Sequence, residues 1–236
     1  MKKLGLVVAA LVVLVAAGLI LLRGNLDGLV KDAIATYGSE MTQAKVNVGT
    51  VEIRGSDGIG VIRDVSIGNP AGFKTSHALK VGEIEVAIDI ASLTRDVMVI
   101  RRIAIKAPDI IYEKGDEMTN FDAMEKNIAA HLGISEKKSD GGGKKLIVEE
   151  LTVRNAKAQA SAAFMQGKTV SVPLPDITLR NLGKAKGGMT PGELGQEISQ
   201  TLKQKLSTAI SFDNLAKSAV QALDRVGGAI KGLFGK

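Results

Sequence analysis

Few residues in this 236-residue chain are equipped for chemistry, and their spacing excludes most of it. The two histidines, His77 and His131, fall on different predicted elements, and there is no cysteine to join them. A transition-metal site would therefore lack ligands, and each histidine reads as a surface or capping residue. Ser135 and Lys138 match the S-x-x-K spacing of a serine nucleophile and its lysine base, but no S-D-N or K-T-G partner accompanies them. Gly141-Gly142-Gly143 lacks the strand-to-helix setting and the Lys-Ser/Thr ending that a phosphate loop needs. Asp57, Asp64 and Asp89 do not follow the spacing of a calcium loop. Glu149 and Glu150 are adjacent on a predicted strand, so they point to opposite faces and cannot work as a carboxylate pair. The expectation is a protein that is not an enzyme and holds no metal or cofactor.

Composition narrows the partners. Aromatic residues make up 3% of the chain and there is no Trp, which argues against the stacking platforms of single-stranded nucleic-acid binding. The formal net charge is +6, but up to about residue 180 the basic residues are interleaved with acids, so no nucleic-acid footprint is expected. The C-terminal part is more basic and suits a membrane surface.

The element that positions everything else is Leu4–Leu22, nineteen residues without a charge, bracketed by Lys2-Lys3 and Arg23. As a helix it would be roughly 28 Å long, close to the ~30 Å hydrocarbon thickness of a bilayer. A buried core helix of this length would carry some polar residues. A cleaved signal peptide has an apolar core of about 7–15 residues ending at an A-x-A-like site. Here the small cluster Ala16-Ala17-Gly18 would leave an apolar Leu-Ile-Leu-Leu at the new terminus. The run thus reads as an uncleaved signal anchor, with Leu4, Leu11, Leu14 and Leu22 in the membrane. Lys2 and Lys3 keep the short stub 1–23 cytoplasmic at its start, leaving the bulk of the chain on the other side.

Residues 24–44 read as a linking amphipathic helix, with apolar residues recurring at three- and four-residue steps. From Val46 the period changes to two. Val46 and Val48 alternate, then Val51 and Ile53 alternate one residue out of phase, as a β-bulge produces. Residues 45–182 are expected to form a sheet domain with an inserted helix at 119–132 and a flexible loop at 135–145. A Gly-rich linker and amphipathic helical tail would occupy 183–236. The predicted fold class is α+β: a transmembrane helix, an antiparallel sheet with flanking helices, and a helical tail.

The clearest strand, 81–90, puts Ile84, Val86, Ile88 and Ile90 on one face and Glu83, Glu85, Ala87 and Asp89 on the other. Two readings of the dry face follow. Helices cover it and complete an ordinary core, or part of it stays open as a groove for acyl chains. Wetting one acyl chain of about 16 carbons costs on the order of 13 kcal/mol at ~0.8 kcal/mol per CH₂. A dry face could remove that cost for a lipid outside the bilayer. Ile84, Val86, Ile88, Ile90, Val46 and Val48 are the candidate lipid-facing residues.

The order of several short motifs suggests a family. After the anchor come Tyr37-Gly38-Ser39-Glu40 and Val46–Ile53, then Asn69-Pro70-x-Gly72-Phe73, Ala91-Ser92-Leu93, and Pro108 with Ile111-Tyr112-Glu113. Asn120-Phe121-Asp122, Pro173-Leu174-Pro175-Asp176-Ile177 and Thr190-Pro191-Gly192-Glu193 follow. Over about residues 1–200 this resembles the N-terminal unit of the AsmA-like proteins of Gram-negative bacteria. The resemblance implies an inner-membrane anchor, a periplasmic sheet curved into a groove, and a role in outer-membrane and cell-envelope homeostasis. It names the inner membrane, phospholipid and a further envelope protein as partners, and it carries no catalytic motif. The chain is much shorter than the relatives thought to conduct lipid between membranes. The alternative function is an anchored scaffold with a closed core, binding a protein or the membrane surface through its tail.

Overall fold

Alternating Val and Ile build ten strands that join one sheet: β1 (Val46–Asn47), β2 (Thr50–Arg54), β3 (Ile59–Ile67), β4 (Leu79–Ile88), β5 (Val97–Lys106), β6 (Asp109–Lys114), β7 (Lys145–Arg154), β8 (Lys157–Ala162), β9 (Val170–Val172) and β10 (Ile177–Leu182). The computed structural model describes residues 26–131, 144–190, 193–194 and 197–198. Among them are two α-helices, α1 (Leu26–Thr42) and α2 (Asn120–His131).

Several strands are halves of one bent path. Between β1 and β2 the Gly49 N–H donates to both Arg63 O (3.1 Å) and Asp64 O (3.2 Å). The register is the same on both sides of it (Asn47 with Ser66, Thr50 with Arg63). The phase slip at Val48–Val51 is therefore a bend shared with Asp64 of β3 (φ 54°) and not the expected β-bulge, which needs an extra residue on one strand. β5 passes into β6 through Ala107, and β7 into β8 through Asn155, both residues at positive φ (49° and 54°). Ladder bonds continue through the double bend, from Ala107 N–H to Arg154 O (2.9 Å) and from Lys157 N–H to Pro108 O (2.7 Å). Across the sheet the paths therefore run β1 and β2, β3, β4, β5 with β6, β7 with β8, and β10 with β9.

The expected α+β fold with an antiparallel sheet is not what forms. The protein is mainly β, and its sheet is mixed. β5 pairs with β7 in parallel, and so does β6 with β8. The cause is a crossover. After β6 the chain turns into α2 and starts β7 beside the start of β5, so both strands run the same way, as a parallel pair requires. Period-two alternation reports which face a residue occupies and carries no information on strand direction.

Among the described residues no helix is long and apolar enough to cross a membrane. The anchor expected at Leu4–Leu22, with Leu4, Leu11, Leu14 and Leu22, lies outside them. So do most of the predicted tail and most of the 135–145 loop.

Asp27 places α1 on the sheet. Its Oδ1 accepts the Ile53 N–H (3.0 Å) at one end, while Ser39 Oγ accepts the Val46 N–H (2.9 Å) at the other. The end where α1 begins also carries the β2–β3 turn, the β4–β5 connection, the start of β7 and the exit from β10; it is the near end. α2 packs beside α1 on the same face, where Asn127 Nδ2 donates to Thr42 O (2.9 Å). A Thr119–Asp122 capping box starts α2, with Asp122 Oδ2 accepting from Thr119 N (2.8 Å) and Thr119 Oγ1 from Asp122 N (3.2 Å). Thr190 and Glu193 form another at the near end (2.9 Å and 3.3 Å).

Candidate functional site

The dry face nominated for lipid lies inside the core. Ile84, Val86, Ile88, Val46 and Val48 are all buried, and Val86, Ile100, Ile103, Val148 and Leu151 are 0% exposed. They belong to one continuous apolar cluster with Val30 and Ile34 of α1, Phe121, Met124 and Ile128 of α2, and Leu194 and Ile198. Leu194 and Ile198 are one helical turn apart, the spacing of a helix laying one stripe on the sheet. Ile90 is separate. β4 shifts register at Ala87/Ile88 and ends in a 3-10 turn over Ile90–Ser92, which leaves Ile90 42% exposed at the near end.

The wet face is a lattice of opposite charges. One row runs Glu52, Arg63, Glu83 and Lys106, with contacts of 3.3, 3.1 and 2.6 Å. Another joins Arg102 to Glu85, and Arg180 to Glu150 (3.2 Å). The bond from Lys106 holds the Glu83 carboxyl below its ordinary value, and Arg63 assists. Such pairs are weak singly, but they set cross-strand neighbours and keep this face in water.

At the far end three of the quoted motifs, those holding Asn69, Glu113 and Asn120, meet in one buried hydrogen-bond cluster. Glu113, 1% exposed, accepts from Lys74 N (2.8 Å), Thr75 N (2.8 Å) and Thr75 Oγ1 (2.6 Å). Asn120 accepts from Glu113 N (3.1 Å) and donates to Asn69 Oδ1 (2.9 Å) and Ile111 O (2.8 Å). Asn69 in turn donates to Thr75 O (2.8 Å). Tyr112 and Phe121 stack beside it, with ring centroids 5.9 Å apart. A carboxylate inside a protein is tolerable only when its lone pairs are met, as here. The cluster ties the 69–75 loop to β6 and α2.

His77, which the sequence presents as a surface or capping residue, is 6% exposed. Its Nδ1 lies 2.8 Å from Ser76 Oγ, and its Nε2 is 3.5 Å from Asp109 Oδ2. Asp109 Oδ1 accepts from Gln159 Nε2 (2.9 Å). Burial is the largest influence on His77 and lowers its pKa; Asp109 opposes this and Lys80 adds to the lowering. Asp109 and Gln159 border an open cleft of about 860 Å³ against Pro173, Leu174 and Pro175. Ser76 and Asp109 therefore face the two different ring nitrogens of His77. His131 ends α2 at the surface. No group of three or more His, Cys, Asp or Glu among the described residues could hold a metal ion.

Sequence reasoning missed the burial of His77 and Glu113, because both are decided by strands distant in the chain. No family model, curated protein or solved structure matches this chain.

Proposed function

We propose that this chain is a non-enzymatic, membrane-tethered envelope domain of the AsmA-like kind, whose sheet is a closed scaffold rather than a lipid-holding groove. One observation carries the choice between groove and scaffold: the strand residues that would line a groove are the centre of the protein's own core. Opening the core into a groove would wet Val86, Ile100, Ile103 and Leu151, at about 1.5–3 kcal/mol per side chain. The sheet margins argue the same way. One edge is bent at Gly49, and the other is interrupted at Pro173 and Pro175, so neither invites another unit to extend the sheet edge-on. The tether itself is read from Leu4–Leu22, and the envelope setting from the family resemblance.

Because the chain has no cysteine, single thiols can test this cleanly. In the full chain, Val86→Cys should resist a maleimide until denaturant is added, while Ile90→Cys labels at once. Rapid labelling at position 86 that added phospholipid slows would instead establish an open lipid groove.

A further inference from the structure

The near end of the sheet combines positive charge with exposed apolar side chains. β5, β7 and β10 are neighbours, so their ends lie ~4.8 Å apart in sequence across the rim. Arg95 precedes β5, Lys144 and Lys145 open β7, and Lys184 and Lys186 follow β10; all five are exposed. Lys145 N–H donates to Asp96 O (3.0 Å), and Lys144 Nζ donates to Leu93 O, so the β4–β5 connection and the start of β7 are joined. Lys186 and Lys145 both help to lower the Glu193 pKa, behind its bonds from Thr190, which places the two lysines around one carboxylate.

The acids of this rim are largely occupied. Asp89 is held by Arg101 at 2.9 Å, Glu193 is bonded by Thr190, and Asp27 accepts from Ile53. Asp57, bonded by the Ser56 hydroxyl, and Asp96 are both exposed acids, so the cationic part of the rim is the corner of β5, β7 and β10, where the five cations accompany Asp96 and Glu193. In the same β4–β5 connection as Arg95, Ile90 is 42% exposed, and on the β2 side of the rim Leu29, in the first turns of α1, is 59% exposed. Apolar side chains beside exposed cations are poorly placed in water alone and well placed at a bilayer interface.

Connectivity says which surface this rim meets. The Leu4–Leu22 run ends at Leu22 and α1 begins at Leu26. The three residues between can reach about 11 Å at most. If the run spans the bilayer, the near end is held at headgroup level.

We propose that this rim is a docking surface for anionic lipid headgroups, with Arg95, Lys144, Lys145, Lys184 and Lys186 meeting phosphates and Ile90 entering the interface. The proposal rests on the tethered reading above and adds a fixed orientation to it: the sheet stands on its near end, with the β8–β9 hairpin pointing away.

The test uses the full chain in vesicles of phosphatidylcholine, alone or mixed with phosphatidylglycerol, carrying an environment-sensitive dye on Ile90→Cys or, separately, on Phe164→Cys at the hairpin tip. The expected result is a blue-shifted position-90 signal, quenched by a headgroup-attached quencher, only when phosphatidylglycerol is present, with position 164 unchanged. Added salt should reduce the position-90 signal. Replacing Lys144, Lys145, Lys184 and Lys186 with Gln should weaken the contact by roughly fivefold per lysine. Equal signals with and without phosphatidylglycerol, or a response at position 164 in place of position 90, would overturn the proposal. An alkaline wash of the same vesicles judges the tether separately. A chain that resists the wash but gives no position-90 response keeps the tether and loses the rim. A chain that washes off yet responds at position 90 does the reverse.

Discussion

Glu113→Gln is the substitution that bears most directly on what holds the far end together. The carboxylate receives three donors, with Oε1 facing Lys74 N and Oε2 facing both Thr75 N and Thr75 Oγ1. Glutamine keeps one oxygen, best turned toward Thr75, and sets its NH₂ against the Lys74 N–H, donor against donor. Hydrogen bonds to a charged group contribute about 1.5–3 kcal/mol each. One such bond is lost and the other two drop to the weaker neutral kind. The expected destabilisation is about 3 kcal/mol, which lowers Tm by roughly 6–12 °C at ~2–4 °C per kcal/mol for a chain of this size. The assay is a thermal melt of the full chain, paired with limited proteolysis after the exposed Lys74. Cleavage there should accelerate as the 69–75 loop is released. A cycle with Thr75→Val should show coupling of about 1 kcal/mol or more, because the two residues share bonds. A Gln variant melting within about 2 °C of the parent, with an additive cycle, would refute the view that this carboxylate pins the loop.

Three other outcomes follow from the same geometry. Val86→Asp puts a carboxyl where nothing is exposed; a pKa raised by several units, at 1.36 kcal/mol per unit, is comparable with a typical global stability of about 5–15 kcal/mol. At neutral pH the variant should give no cooperative melt, and a melt near the parent value would contradict the closed core. The pKa of His77 is lowered in the fold from 6.5, so the unfolded chain takes up the proton first. This contribution is complete above pH 6.5 and is lost as the pH falls through the folded value. Tm should decline on acidification below that point, and His77→Asn should remove that part of the slope; a parent Tm that rises there would have the sign wrong. Gly58→Ala should destabilise by at least about 1 kcal/mol. Gly58 has φ of 66°, and a Cβ there would sit 2.5 Å from Ile88 O. An unchanged denaturation midpoint would show that the β2–β3 turn relaxes freely.

The sequence by itself was enough for whatever local periodicity and turn chemistry control. The strand read at 81–90 forms as β4, Leu79–Ile88. The helix expected at 119–132 forms at Asn120–His131, capped by Thr119, while the Val48–Val51 phase slip is a bend without the extra residue of a bulge. The division of β4 into a dry and a wet face also holds as far as Ile88. Tertiary structure decided the rest. Strand direction depends on where a crossover delivers the chain, so the parallel pairing of β5 with β7 has no signature within either strand. Whether a dry face is open depends on a second element being laid on it. Val86 shares its apolar cluster with Val30 and Ile34 of α1, far upstream, and with Leu194 and Ile198, far downstream. Asn69, Glu113 and Asn120 are individually unremarkable polar residues. They become one buried cluster only because β6, α2 and the 69–75 loop converge at the same end of the sheet.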